Sequence, residues 1–275
     1  MKTFGLALGS GGARGLAHIA IVEALDEMEL RPTAIAGTSI GALIGAAYAA
    51  GLRGRDIRRH VVGLAHDRRE TTRRLIGTRA GRFAELFSGG FGQATQLDAE
   101  KFCTQFLPAV PADFSALSIP LTVIATDLHA RAEAPFSSGP LYPALAASIA
   151  IPGLFRPVAV DGRVLVDGGA TNPLPFDRLT GLADVIIAVD VFGVPPADRS
   201  DVPGGWECVY TTINVMGSAI VAAKLDRAVP DLVIRPNVTI FRALDFYQAS
   251  AILRAAEASK AELKEKLGGL VSAAL

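Results

Sequence analysis

Ala34-Ile35-Ala36-Gly37-Thr38-Ser39-Ile40-Gly41-Ala42-Leu43-Ile44-Gly45 is the stretch on which the fold turns. A short apolar run meets Gly-x-Ser-x-Gly and continues as a small-residue helix pattern. That order describes a nucleophile elbow, a sharp strand-to-helix turn that presents a serine hydroxyl. Gly37 and Gly41 flank the serine because the turn is crowded and strained. The following helix would bring N–H groups and its positive dipole end toward developing negative charge. Ser39 is therefore the candidate nucleophile, with Gly37 and Gly41 as motif glycines.

Outward from the elbow, the pattern alternates. Residues 3–8 read as a buried first strand, 9–12 as a loop, and 14–28 as a helix with Leu16, Ile19, Ala20 and Ala24 in period. A crossover of that length makes a right-handed βαβ unit the default. Further strand-like runs stand at 121–126, 164–166, 185–191 and 232–234. Helical patterns occupy 98–107, 141–149, 206–228 and 250–267. Such alternation predicts an α/β/α sandwich, three layers around a mainly parallel central sheet. The expected organisation is a catalytic core over 4–190, with residues 191–275 completing the same domain. The Gly-rich run 88–93 ends an Arg-rich helical segment, which makes 53–97 a candidate cap over the elbow.

The chain has 275 residues, half of them hydrophobic, with Lys+Arg and Asp+Glu both at 27. That balance gives no signal for nucleic acid. The distribution is uneven: residues 53–82 hold ten Arg against Asp56, Asp67 and Glu70. A solvated helix face is the plain reading; a surface for anionic head groups is the functional one. Cys103 and Cys208 are too few for a disulfide framework and read as reduced packing residues. The N-terminus lacks a secretory pattern, and the apolar run 40–52 is too short to span a bilayer. A cytoplasmic protein is expected, with peripheral contact at the inner membrane face as a further option.

A serine nucleophile needs a base and an oxyanion hole. The four histidines are His18, His60, His66 and His129. An ordinary hydrolase order is Ser, then Asp or Glu, then His. The strongest acid candidate is Asp167, at the end of the strand-like Val164-Leu165-Val166 and followed by Gly168-Gly169. No histidine follows Asp167, so that triad fails and a Ser-Asp dyad remains, beside the plain alternative of a tight Asp-Gly-Gly turn. As a base, Asp167 must be buried enough to rise above the ordinary carboxylate pKa of ~3.9. Gly9-Ser10-Gly11-Gly12-Ala13-Arg14-Gly15 follows the first strand and opens a helix, a backbone nest for an anion. It misses the dinucleotide pattern, because Arg14 and Leu16 stand where the last glycine would be.

Together, Gly11-Gly12-Ala13-Arg14-Gly15-Leu16-Ala17-His18, Gly37-Thr38-Ser39-Ile40-Gly41 and Asp167-Gly168-Gly169 resemble the signatures of patatin-like phospholipases. The runs 147–158 and 172–175 match as well, so the resemblance covers about residues 4–190. It implies a metal- and cofactor-independent lipid acyl hydrolase on a patatin-type sandwich, acting on a lipid or acyl-ester substrate. Ser39 resembles the nucleophile and Asp167 the proton acceptor. Gly11, Gly12 and the Arg14 backbone resemble the oxyanion loop, with Gly168 and Gly169 as motif glycines. Ser10 departs from the family's three consecutive glycines, though its N–H is expected to remain on offer.

Two other functions compete: an acyl transferase pairing Ser39 with His129, and a non-catalytic lipid- or protein-binding adaptor on the same fold. His18 reads as a structural histidine near the site, and His129 as a loop or hairpin residue. The Arg14 guanidinium is expected to brace a neighbouring loop. Phe83, Leu86, Phe87 and Phe91 follow the arginines at helical spacing, as core or as an interfacial face. Neither the lipid nor an oligomeric state is legible.

Overall fold

The computed structural model describes residues 2–78, 96–107, 110–192 and 204–272. Its strands are β1 (Phe4–Leu8), β2 (Ala34–Thr38), β3 (Leu121–Asp127), β4 (Ala132–Phe136), β5 (Val158–Val160), β6 (Arg163–Asp167), β7 (Val185–Val189) and β8 (Leu232–Ile234). The principal helices are α1 (His18–Glu27), α2 (Ile40–Ala49), α3 (Gly54–His66), α4 (Arg68–Gly77), α5 (Ala99–Phe106), α6 (Leu141–Ser148), α7 (Gly205–Leu225), α8 (Ala249–Ala255) and α9 (Glu257–Ser272). They form one mixed sheet with helices on both sides, in the order β5-β6-β3-β2-β1-β7-β8, with β4 pairing β3.

The sequence dictates two unequal faces. Side chains alternate across a strand. Leu6 and Leu8 of β1, Ile35 of β2, and Ile187 and Val189 of β7 enter the large core beneath the main helical layer. Ala7, Ala34, Ala36 and Ala188 face the other way, against Leu174, Phe176, Leu179 and Val221. Alanines on that face let the 174–179 segment and α7 approach the sheet closely.

The expected parallel half is present: β3-β2-β1-β7-β8 are all parallel. Beyond β3 the pairing turns antiparallel, which makes the sheet mixed. Strand β6 runs antiparallel to β3, as do β4 to β3 and β5 to β6. Neither β4 nor β5 is among the strands expected from sequence. β4 carries Pro135, tolerable because β4 pairs only with β3. The expected 250–267 helix breaks at Ala256 into α8 and α9. The helix expected from Arg14 begins as a 3-10 turn over Gly12–Ala17 and becomes α-helical only at His18.

The Arg-rich segment forms α3 and α4, while Arg79 and Arg82 lie outside the described residues. Arg58 belongs to neither reading of that segment. It bonds Glu23 of α1 at 2.5 Å and Glu257 of α9 at 2.7 Å, while Lys260 of α9 reaches Glu23 at 2.6 Å. Glu23 is almost fully buried, so this cluster staples α1, α3 and α9 together. Phe83, Leu86, Phe87, Phe91 and the Gly-rich run 88–93 of the candidate cap also lie outside the described residues.

Two glycines give contrasting predictions. A Cβ at Gly41 would sit 2.1 Å from the Leu8 carbonyl oxygen, whereas at Gly63, inside α3, it would meet nothing within 4 Å. Gly41→Ala should lower the thermal unfolding midpoint or prevent soluble expression. Gly63→Ala should raise the midpoint, by up to about 1 kcal/mol of helix propensity. Thermal denaturation of the two variants beside the parent checks both.

Candidate active site

The register sets the site. Thr38 at the end of β2 lies opposite Ile124 of β3, and the next β3 residue, Ala125, lies opposite Asp167 of β6. Strand β4 takes the other edge of β3 over Val123–Asp127, so β2 and β6 follow one another along a single edge of β3 and the elbow and the acid meet end to end. Because β6 is antiparallel, Asp167 is the last residue of a strand running toward the elbow rather than alongside β2. The carboxylate expected at the end of a parallel strand arrives from the opposite direction.

Ser39 holds φ 56° and ψ −123°, a conformation costly for a residue with a Cβ. Its carbonyl accepts from the N–H groups of Ala42 and Leu43, so it caps α2. Its own N–H donates to the buried Ser148 hydroxyl at 2.8 Å. Both glycines of the motif are sterically required: a Cβ at Gly37 would lie 2.7 Å from Ala42 Cα, and the Gly41 position abuts the Leu8 and Gly9 carbonyls. Ser148 was not singled out, since nothing local in residues 147–158 distinguishes its hydroxyl.

The Ser39 hydroxyl donates to Asp167 Oδ2 at 2.6 Å. Asp167 Oδ1 accepts from the Gly169 N–H at 2.7 Å, and its carbonyl accepts from the Thr126 hydroxyl at 3.0 Å. Burial pushes the Asp167 carboxyl up to about 6, against the lowering effect of the Ser39 and Gly169 hydrogen bonds. A Cβ at Gly168 would be 2.2 Å from the Ile124 carbonyl oxygen, so Asp-Gly-Gly is both a tight turn and the seat of a buried carboxylate. Asn172 ties this loop to its surroundings. Its carbonyl accepts from the Thr38 hydroxyl at 2.8 Å and its amide donates to Glu133 at 3.1 Å; Lys224 bonds its Oδ1 and also Asp177.

The glycine loop lies against the elbow: a Cβ at Gly15 would fall 2.1 Å from Ile40 Cγ2. Gly12 adopts φ 59° with its Cα facing the Ala243 carbonyl. Ser10 donates its N–H to Pro173 O at 2.8 Å, and Ala13 to Ala243 O at 2.7 Å. The expectation that Ser10 keeps its N–H on offer is thereby corrected. Among the described residues, the N–H groups of Gly11 and Gly12 have no such partner. Arg14 is buried within the 3-10 turn, and its guanidinium bonds Gly11 O, Phe192 O and Asn214 Oδ1. It braces loops, as its sequence context suggested.

Among the described residues, no histidine hydrogen-bonds the Ser39 hydroxyl. His18 Nε2 contacts Gly9 O at 2.8 Å, and its Nδ1 is buried without a partner. Burial holds His18 down at about 4, so near neutrality its imidazole is uncharged and Nε2 carries the proton to Gly9 O. His60 bonds Phe106 O, and His66 bonds Val62 O. His129 sits in the β3–β4 hairpin, its backbone N–H held by Asp127. Among the described residues, no cluster of His, Cys, Asp and Glu is arranged to hold a metal ion.

Helix α7 closes the alanine face of the sheet through Gly217 and Val221. Its outward residues Cys208, Val209, Thr211, Thr212, Val215, Met216, Ala219, Ala222 and Ala223 are exposed and carry no charge. By length and composition its Cys208–Leu225 stretch is apolar enough to cross a membrane, unlike residues 40–52. Asn214 and Lys224 bind it to the site loops instead.

The Patatin family profile, described as patatin-like phospholipase, matches residues 6–180. An uncharacterised NTE family protein of Mycobacterium tuberculosis is 42% identical over 190 residues, covering 68% of this chain and 49% of that protein. A lysophospholipase of Aspergillus fumigatus is 29% identical over 228 residues, covering 79% of this chain and 14% of that protein. The chain thus spans about half the length of its mycobacterial relative and a small part of the fungal one. Among solved structures, VipD from Legionella pneumophila superposes with a TM-score of 0.50 at 14% identity, covering 96% of this chain and 66% of that one. VipD shares the fold. With the profile spanning most of the chain and the elbow, acid loop and glycine loop joined in one site, the chain belongs to the patatin-like phospholipase family.

Proposed function

We propose that this protein is a serine lipid acyl hydrolase that works through a Ser39–Asp167 dyad. The carrying observation is the 2.6 Å hydrogen bond from the Ser39 hydroxyl to a buried carboxylate. A carboxylate raised to about 6 is still ionised near neutrality and is a far better base than one at ~3.9.

Asp167 Oδ2 takes the Ser39 proton as Oγ attacks the ester carbonyl carbon. The carbonyl π electrons move onto oxygen, and the Gly11 and Gly12 N–H groups receive that oxyanion. The tetrahedral adduct collapses, the alkoxide leaves, and Asp167 returns the proton to it. Acyl-Ser39 remains. Water then gives a proton to Asp167 and attacks the acyl carbon, and collapse releases the carboxylic acid and restores the Ser39 hydroxyl. Fixed dipoles in the loop make this efficient because they need no reorganisation during reaction. An acyl transfer through His129 draws no support from an Ser39 hydroxyl that is already bonded to Asp167.

The lipid class rests on the family and on relatives named lysophospholipase and neuropathy target esterase. Contact with an anionic lipid surface would fall to the exposed Arg55, Arg59, Arg69 and Arg73 of α3 and α4, and not to the stapled Arg58.

Ser39→Ala and Asp167→Asn should each abolish hydrolysis of a soluble short-chain ester, and the double variant should be little worse, since residues acting as a unit are non-additive. Folded His129→Ala should keep substantial turnover; its loss would move the assignment to the acyl transferase.

Asp167 also carries a stability consequence. Its folded pKa lies above the unfolded value, so the stability it contributes is full below about 4 and is lost as pH rises through about 6. Asp167→Asn should therefore be inactive yet more resistant to denaturant than the parent near neutrality, with the advantage gone near pH ~4. Urea unfolding at the two pH values checks this; an equal or lower midpoint near neutrality would contradict it.

Replacing Arg55, Arg59, Arg69 and Arg73 with Gln should weaken sedimentation with anionic vesicles at low salt. Turnover of the soluble ester should stay unchanged. Such basic residues contribute about 1 kcal/mol each near an anionic surface, and salt screens them. Equal binding by variant and parent would leave these arginines as a solvated face.

A further inference from the structure

The oxyanion loop is held from behind by side chains that no sequence motif links. Every peptide bond among the described residues is trans. In a planar trans peptide, the carbonyl of one residue and the N–H of the next point in opposite directions. His18 holds the Gly9 carbonyl at 2.8 Å, and the following N–H, that of Ser10, is turned onto Pro173 O. The same arrangement recurs two residues on. Arg14 Nε donates to the Gly11 carbonyl at 3.4 Å, which turns the Gly12 N–H away from the guanidinium. That N–H has no partner among the described residues.

What keeps Arg14 in place lies 200 residues away. Its Nη1 donates to Phe192 O at 3.1 Å, and its Nη2 to Asn214 Oδ1 at 2.6 Å, the shortest of its bonds. Asn214 is itself oriented, because its Nδ2 donates to Tyr210 O one turn back on α7 at 2.7 Å. Helix α7 is seated closely here: a Cβ at Gly217 would lie 2.9 Å from the Phe192 ring. Arg14 is buried, and no carboxylate among the described residues lies within ion-pair distance of it. The Gly11 and Phe192 carbonyls and the neutral Asn214 amide oxygen hold this cation, while Asp190, paired with Arg235, acts on it only from beyond ion-pair distance.

We propose that Asn214 is a positioning residue for the oxyanion loop: it holds the Arg14 guanidinium, which holds the Gly11 carbonyl and so aims the Gly12 N–H at the developing oxyanion. The proposal rests on the hydrolase reading of the Ser39 site, but not on the substrate being a lipid. Asn214 acts through Arg14 and touches no reacting atom. Its effect therefore belongs to the transition state, so kcat should fall and KM should hardly move.

The test uses the full chain, a soluble short-chain ester, a fluorophosphonate, and an alkyl trifluoromethyl ketone that forms an anionic tetrahedral adduct with an activated serine. Asn214→Ala should lower kcat by about tenfold to a hundredfold, short of the 10²–10³ typical of removing an oxyanion donor outright. KM should stay within about twofold, and ketone affinity should fall by the same factor as kcat. Asn214→Asp keeps an oxygen for Arg14 and should restore both, which separates a brace from a requirement for free positive charge. Parent-like kcat and ketone affinity in Asn214→Ala would overturn the proposal. So would a loss that appears in KM alone, or one that Asn214→Asp fails to rescue while its unfolding midpoint matches the parent. Turnover of the soluble ester without cleavage of any lipid would remove the lipid substrate and leave the brace standing. A parent whose Ser39 resists the fluorophosphonate would remove both.

Discussion

A buried carboxylate beside a serine hydroxyl is the interaction from which the rest of this architecture follows. In water Asp167 would be a weak base; out of water it is costly to ionise. The fold resolves that conflict by giving each carboxylate oxygen one donor, Ser39 on one side and the Gly169 N–H on the other. Two bonds are enough to hold the group in place and too few to undo the upward shift from burial. The strained Ser39 backbone, the close contact of Gly168 with Ile124 and the tie from Thr38 to Asn172 all serve to bring the two groups together.

The sheet makes that meeting possible through its asymmetry. Its parallel half carries the elbow in the ordinary way, on the strand-to-helix turn after β2. Its antiparallel half delivers the acid from a strand running the other way. The large aliphatic side chains anchor one helical layer, while alanines on the opposite face let the 174–179 segment and α7 close in. Through Asn214 and Lys224, α7 then touches both the glycine loop and the acid loop. Its described outward residues are uncharged and mostly apolar, so one helix joins the site loops to that surface.

Much of this was legible in the sequence because it is local. Gly37-Thr38-Ser39-Ile40-Gly41, the glycine loop and Asp167-Gly168-Gly169 encode turns whose steric demands are written within a few residues. The parallel strands were legible from apolar runs bounded by glycines. Strand direction was not: Val164-Leu165-Val166 reads the same whichever way it pairs. β5 is three residues long and β4 carries a proline, so neither stands out as a strand. Ser148 and Asn214 were invisible because their partners lie 109 and 200 residues away. The arginine excess was legible as a count, but not the fact that Arg58 is withdrawn into a cluster with two glutamates.

The central claim is that Asp167 is the base for Ser39 and that burial sets its strength. The rate of fluorophosphonate labelling at Ser39, followed against pH by mass spectrometry, tests it most directly. The account predicts that labelling of the parent rises with pH through an inflection near 6, the value to which burial raises Asp167, and that Asp167→Asn loses both the rate and the inflection. An inflection near the ordinary carboxylate value of ~4 would contradict it, as would one that survives Asp167→Asn.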